Sequence, residues 1–245
     1  MKDYAAYLFD LYGTLVDIHT DENKPAFWKR IASYYTAHGA VWDTAALRET
    51  YRRLCAEETA RLEARTPGAA VEIDLFRVFR GLYTAKNVTP DAGLLADTAW
   101  FFRQHSTTHL RAYAGAGELL TALRAAGRTV ILLSNAQSCF TRPELKCLGL
   151  ADCFDRIYIS SELGFQKPDP RFFSAPARDL GLDAADCLMI GNDPICDVGG
   201  AAAVGMDAIY LHTKLSPKDV PPPDAAVLTL PGMDLRTLRR ILLPR

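Results

Sequence analysis

From Arg111 onward the chain repeats one pattern, an amphipathic helical stretch followed by a short apolar run that ends in polar residues. "AGELLTALRAAG" has apolar residues at helical spacing and closes on glycine, and "TVILLSN" follows as a β-branched run. The alternation continues through a helix near "RPELKCLGL", strand "RIYIS", a helix near "PRFFSAPARDLGL", strand "CLMIG", helix "DVGGAAAVGM" and strand "AIYLH". Such runs, apolar at nearly every position, must be covered on both faces. Strands joined by helices run parallel, so the α/β fold expected is a parallel sheet with helices on both faces. The segment "AYLF" near the N-terminus reads as one more strand of it.

Residues 18–108 read differently. Trp28, Ile31, Tyr34 and Tyr35 share a periodic face, and "TAALRETYRRLCAEETARLEAR", "VEIDLFRVFRGLYTA" and "DAGLLADTAWFFRQHS" are amphipathic, with no convincing strand between them. The layout expected is a helical lobe inserted after the first strand and its loop, between residues 1–17 and 109–245 of the core. "KLSPKDVPPPDAAV" reads as a proline-rich loop before a short strand and the helix "LRTLRRIL". Trp42, Trp100 and Phe101 are assigned to the lobe's core.

The net charge of -1 gives no reason to expect nucleic acid or an acidic membrane as partner, and no window is long and apolar enough for a membrane span. The six cysteines form no CxxC pair and read as reduced core thiols, which with the absence of a signal-like N-terminus suggests a cytoplasmic protein. A small-molecule substrate is expected, and either a monomer or a homodimer.

In an open parallel sheet, ligands bind beyond the carboxyl ends of the strands. The polar residues just after the apolar runs are Asp10 to Thr14, Ser134 with Asn135, Lys167, and Asn192, Asp193 and Asp197. A carboxylate attacks a phosphate dianion only if a cation screens their repulsion. Mg²⁺ suits that task through oxygen ligands, here from Asp10, the backbone carbonyl of Tyr12 and the loop of Asn192, Asp193 and Asp197. Lys167 would neutralise the attacking carboxylate, while Thr14, Ser134 and the amides of Gly13 and Asn135 would bind phosphoryl oxygens. Asp17 has no such company and reads as a loop or hinge residue.

These residues resemble the four motifs of the haloacid dehalogenase superfamily: "DLYGTLVD" with an aspartate nucleophile, "ILLSN", the lysine of "FQKPDPRFF" and the acidic loop "IGNDPICDVGGAAAVGM". The resemblance implies a Rossmann-like core closed by a helical cap, with Asp10 forming a covalent intermediate that water hydrolyses. In most of the family's phosphatases the residue two after the nucleophile is an aspartate serving as general acid and base. Here it is Tyr12, as in the family's 2-haloacid dehalogenases, whose halide leaves without a proton.

The acids Asp193 and Asp197 favour a Mg²⁺-dependent phosphatase, because clustered acids need a cation between them. Asn192 replaces the first acid of the commoner loop, which leaves open whether Asn192 or Asp193 touches the metal. A dehalogenase would place an arginine beside a glutamine early in the cap, and "NKPAFWKRIASYYTAHG" has Arg30 without the glutamine. The missing acid could come from the lobe, as Glu72 or Asp74, and periodicity does not say which of Arg77, Arg80, Arg103 and Glu72 face inward. The leading expectation is therefore a phosphatase of a small phosphorylated metabolite. A metal-independent 2-haloacid dehalogenase comes second, and a non-catalytic binding or regulatory protein on the same fold third.

Overall fold

A computed structural model describes residues 2–243. Its main sheet has six parallel strands in the order β5-β4-β1-β6-β7-β8. These are β1 (Ala6–Phe9), β4 (Thr129–Ser134), β5 (Arg156–Ile159), β6 (Cys187–Gly191), β7 (Asp207–His212) and β8 (Leu228–Pro231). Alternate residues of the central strands enter two different cores. Tyr7, Phe9, Val130, Leu132, Leu188 and Ile190 pack with α5 (Ala116–Ala125) and α10 (Leu235–Leu242). Ala6, Leu8, Ile131, Leu133 and Met189 face the other way, onto Phe172 and Phe173 of α8 (Pro170–Leu180) and Ala201 of the short α9 (Gly200–Ala203). The uniformly apolar strands thus have helices on both sides.

The helical lobe comprises α1 (Phe27–Ala37), α2 (Thr44–Arg65), α3 (Leu75–Thr84) and α4 (Ala92–Ser106). Its core of Phe27, Trp28, Tyr35, Phe79, Tyr83 and Phe102 continues into Cys139 and Phe140 of α6 (Ser138–Cys147). Phe102 and Phe140 stack with centroids 6.0 Å apart, so the lobe packs against the sheet's own helix. Trp42 and Phe101 pack against this core, and Trp42 donates its indole N–H to the Leu82 carbonyl at 3.2 Å.

A two-stranded antiparallel ribbon enters and leaves the lobe: β2 (Val16–Thr20) pairs with β3 (Thr107–Ala112). The sequence gives little sign of it, since both strands are short, half polar and some ninety positions apart. Asp17 belongs to this ribbon and is fully buried, unlike a loop residue. Burial opposes its ionisation, yet hydrogen bonds from Lys214, His109 and Arg111 prevail and hold its carboxyl below the ordinary range. All six cysteines are free; Cys139 and Cys187 are buried, but Cys147 is exposed rather than in the core. Among the described residues no helix is long and apolar enough to cross a membrane.

Candidate active site

Asp10 follows β1 directly, and its amide donates to the Ile190 carbonyl of β6 at 2.9 Å, which fixes it between the two central strand ends. Lys167, from the loop after α7 (Ser160–Leu163), reaches it across the β4 end. The ammonium donates to Asp10 Oδ1 at 2.8 Å, Asp197 Oδ1 at 2.7 Å and the Leu133 carbonyl at 2.8 Å. Its three N–H groups are therefore all matched, in a site from which water is nearly excluded. Burial alone would lower the lysine's pKa, but Asp10 and Asp197 more than offset it and raise it above the ordinary range.

Asp197 is equally enclosed. Its second oxygen accepts from the Asp193 amide at 2.9 Å, and burial pushes its carboxyl up to about 6 despite Lys167. Gly191 makes room for it, since a Cβ there would lie 2.1 Å from Asp197 Oδ2. The cation between the acids is thus Lys167, and Asp197 positions it instead of presenting an open ligand face. Asp193 has another task as well: its Oδ1 accepts from the amides of Ile195 and Cys196 at 2.9 and 2.8 Å, capping the turn at Pro194–Gly199. The acid-rich loop therefore does not by itself call for a metal.

The oxygens near Thr14 do suit one. The Thr14 hydroxyl lies 3.0 Å from Asp10 Oδ2 and 3.2 Å from Asn192 Oδ1, with one hydrogen for two buried acceptors. Asn192 is held close by the glycine in front of it, because a Cβ on Gly13, at φ +89°, would meet its Nδ2 at 2.5 Å. Among the described residues no three His, Cys, Asp or Glu side chains group as a metal site. A cation here would use one carboxylate with amide and carbonyl oxygens, a donor set compatible with Mg²⁺ that keeps several waters.

The remaining expected residues divide. The Ser134 hydroxyl is fully buried at the end of β4 and has no hydrogen-bond partner among the described residues. The Gly13 amide, expected to bind phosphoryl oxygens, is instead taken by the Val16 carbonyl at 2.8 Å. The amides of Leu11 and Tyr12, which no side-chain pattern marks in the sequence, make no hydrogen bond among the described residues. Asn135 turns its side chain to the backbone of Lys167, accepting from its amide at 2.7 Å and donating to its carbonyl at 2.9 Å.

Tyr12 points its phenol away from Asp10's partners, toward Glu144 Oε2 and, at 3.0 Å, Thr141 Oγ1 of α6. Glu144, 1% exposed, also receives Arg103 of α4, whose Nε lies 2.5 Å from Oε1. Burial, then the Glu144 charge, drive the phenol's pKa well above its ordinary value, so it is a poor proton donor. Of the lobe residues whose direction was open, Arg77 and Arg80 are exposed while Arg103 and Glu72 face inward. Glu72 meets Ser160 Oγ at 3.2 Å and Gln137 Nε2 at 2.9 Å, and burial raises its pKa. Asp74 caps α3 through the Phe76 amide at 2.9 Å. Arg30 is exposed on α1, beside a surface pocket with Lys29, Tyr34 and His105.

The family model "haloacid dehalogenase-like hydrolase" matches residues 4–205. A phosphoserine phosphatase of Thermus thermophilus is 33% identical over 68% of the chain, which spans only 63% of that relative's length. An (S)-2-haloacid dehalogenase of a Pseudomonas species is 26% identical over 89% of both chains. The solved structure of a 2-haloacid dehalogenase from Pseudomonas syringae superposes with a TM-score of 0.66 over 98% of each chain at 21% identity, a likeness of fold. The chain belongs to the haloacid dehalogenase-like hydrolases.

Proposed function

We propose that the chain is a Mg²⁺-dependent phosphatase of a small phosphorylated metabolite, acting through Asp10. The observation that carries this reading is the convergence of two buried oxygens, Asp10 Oδ2 and Asn192 Oδ1, on the single hydrogen of Thr14. Asp10, Asn192 and the Tyr12 carbonyl would hold the ion, which screens the repulsion between a carboxylate and a phosphate dianion. Asp10 attacks phosphorus, the ester P–O bond breaks, and water then releases phosphate from the aspartyl group. Lys167 balances the carboxylate's charge, with Asp197 holding it in place. The Ser134 hydroxyl and the free amides of Leu11 and Tyr12 donate to the phosphoryl oxygens. Residues 1–17 and 109–245 form the catalytic core, and residues 18–108 a cap that turns on the β2/β3 ribbon.

Tyr12 cannot supply the proton that an alkoxide leaving group needs. Glu72 is suited to it, being a lobe carboxyl turned toward the core loops with its pKa raised by burial. The exposed position of Arg30 speaks against a halide cradle early in the lobe. A 2-haloacid dehalogenase is the second reading, favoured by Tyr12 and by the near full-length similarity to such an enzyme. Phosphate release from phosphorylated metabolites, measured with and without a chelator beside halide release from 2-haloacids, separates the two. Metal-dependent phosphate release is expected; metal-independent halide release alone would replace the first reading by the second, and neither product would leave a binding protein.

A further inference from the structure

The lobe segment between α2 and α3 lies against the loop that carries Lys167. Val71 bridges antiparallel to Phe165, the Gln166 amide donates to the Ala70 carbonyl at 2.9 Å, and the Glu72 amide to the Gly164 carbonyl at 3.1 Å. The Ala70 amide donates to Asp169 Oδ2 at 3.1 Å, and Gln166 Nε2 to the Val71 carbonyl at 3.0 Å. Gln137, at the start of α6, adds three more bonds. Its Oε1 accepts from the Leu75 amide at 2.9 Å, and its Nε2 lies 2.9 Å from both Glu72 Oε1 and the Ile73 carbonyl.

This arrangement brackets Lys167. One lobe residue, Ala70, grips Gln166 with its carbonyl and Asp169 with its amide, on either side of the lysine. On the core side the Lys167 peptide groups are held by the Asn135 side chain. The loop belongs to no strand of the main sheet, because β5 ends at Ile159 and α7 at Leu163. Its backbone therefore depends on bonds from both the lobe and Asn135, and the ammonium depends on that backbone to reach Asp10.

We propose that this clasp makes the placement of Lys167 conditional on docking of the lobe, with Gln137 and Gln166 as the positioning residues. Docking of segment 69–75 completes the nucleophile's cation partner, and its release slackens both together. The inference rests on the reading of Lys167 as the partner of Asp10, but its test needs no substrate.

Amide hydrogen exchange, followed by NMR on the full chain, compares the wild type with Gln137→Ala, Gln166→Ala and the double variant. Loss of these side-chain bonds should speed exchange at the Glu72, Leu75 and Lys167 amides in each single variant and most in the double variant, where the gain should be roughly 10- to 100-fold. Exchange in β1 and β6 should stay unchanged, which separates local opening from general destabilisation. Should the double variant unfold globally, the two single variants give the same comparison at smaller amplitude. Faster exchange at Glu72 and Leu75 with an unaltered Lys167 amide would overturn the coupling, and no acceleration anywhere would overturn the clasp. An inactive preparation or a wrong choice of substrate class would leave either result standing.

Discussion

Replacing Lys167 with methionine keeps most of the side chain's volume and removes its charge. In the wild type the Asp10 and Asp197 oxygens lie 2.8 and 2.7 Å from one nitrogen, hence no more than about 5.5 Å from each other. At an effective dielectric of about 20, two unit charges at that separation repel by about 3 kcal/mol. Removing one partner of a buried ion pair costs about 3–5 kcal/mol by the same order of reasoning. The variant should relieve the repulsion by taking up a proton, so its penalty should depend on pH. In the wild type Asp197 already sits at about 6 against an ordinary 3.8, so the folded state binds the proton more tightly than the unfolded. The stability tied to that proton is present below the ordinary value and lost as pH rises through about 6. Without Lys167 the folded carboxyl rises further and the loss extends to higher pH. Urea unfolding of both proteins at pH 5 and pH 8 should show Lys167→Met destabilised at both, by a wider margin at pH 8. A penalty that is equal at the two pH values would refute the charge argument, and no penalty would refute the buried cluster.

Gly13→Ala should lose about 1–3 kcal/mol from the strained positive φ alone, and should weaken Mg²⁺ binding by displacing Asn192; unfolding curves and metal titration by calorimetry check both. Arg103→Ala should cost about 3–5 kcal/mol in urea unfolding, because it leaves Glu144 buried without its cation. Tyr12→Phe should cost only about 1–2 kcal/mol and leave turnover within a few-fold, whereas a collapse of turnover would give the phenol a chemical role. Glu72→Gln should slow hydrolysis of alkyl phosphates by about 10²- to 10⁴-fold while sparing an aryl phosphate, whose leaving group needs little protonation; equal losses on both would remove Glu72 as the acid.

The sheet was legible because its strands are apolar at almost every position, a pattern that only burial on both faces explains. Asp10, Ser134, Lys167 and Asn192 could be placed at one edge for a related reason, since each follows such a run or its loop. Side-chain direction was not legible in the same way. Asp193 and Asp197 look alike in "GNDPICD", yet one caps a turn and the other packs into the space left by Gly191. Glu144 lies in "RPELKCLGL" like an ordinary surface acid, and only Arg103 and Tyr12, distant in sequence, explain its burial. The ribbon of β2 and β3 and the partners of Asp17 stayed hidden for the same reason: they depend on pairing across the whole lobe, which local periodicity does not encode.

The most direct measurement is mass spectrometry of the protein acid-quenched during turnover, on the peptide that contains Asp10. A phosphoryl group is expected on Asp10 when a phosphorylated substrate and Mg²⁺ are present, and none on Asp10→Asn. An alkyl ester on Asp10 formed from a 2-haloacid instead, or turnover of the phosphorylated substrate with Asp10 never modified, would contradict it.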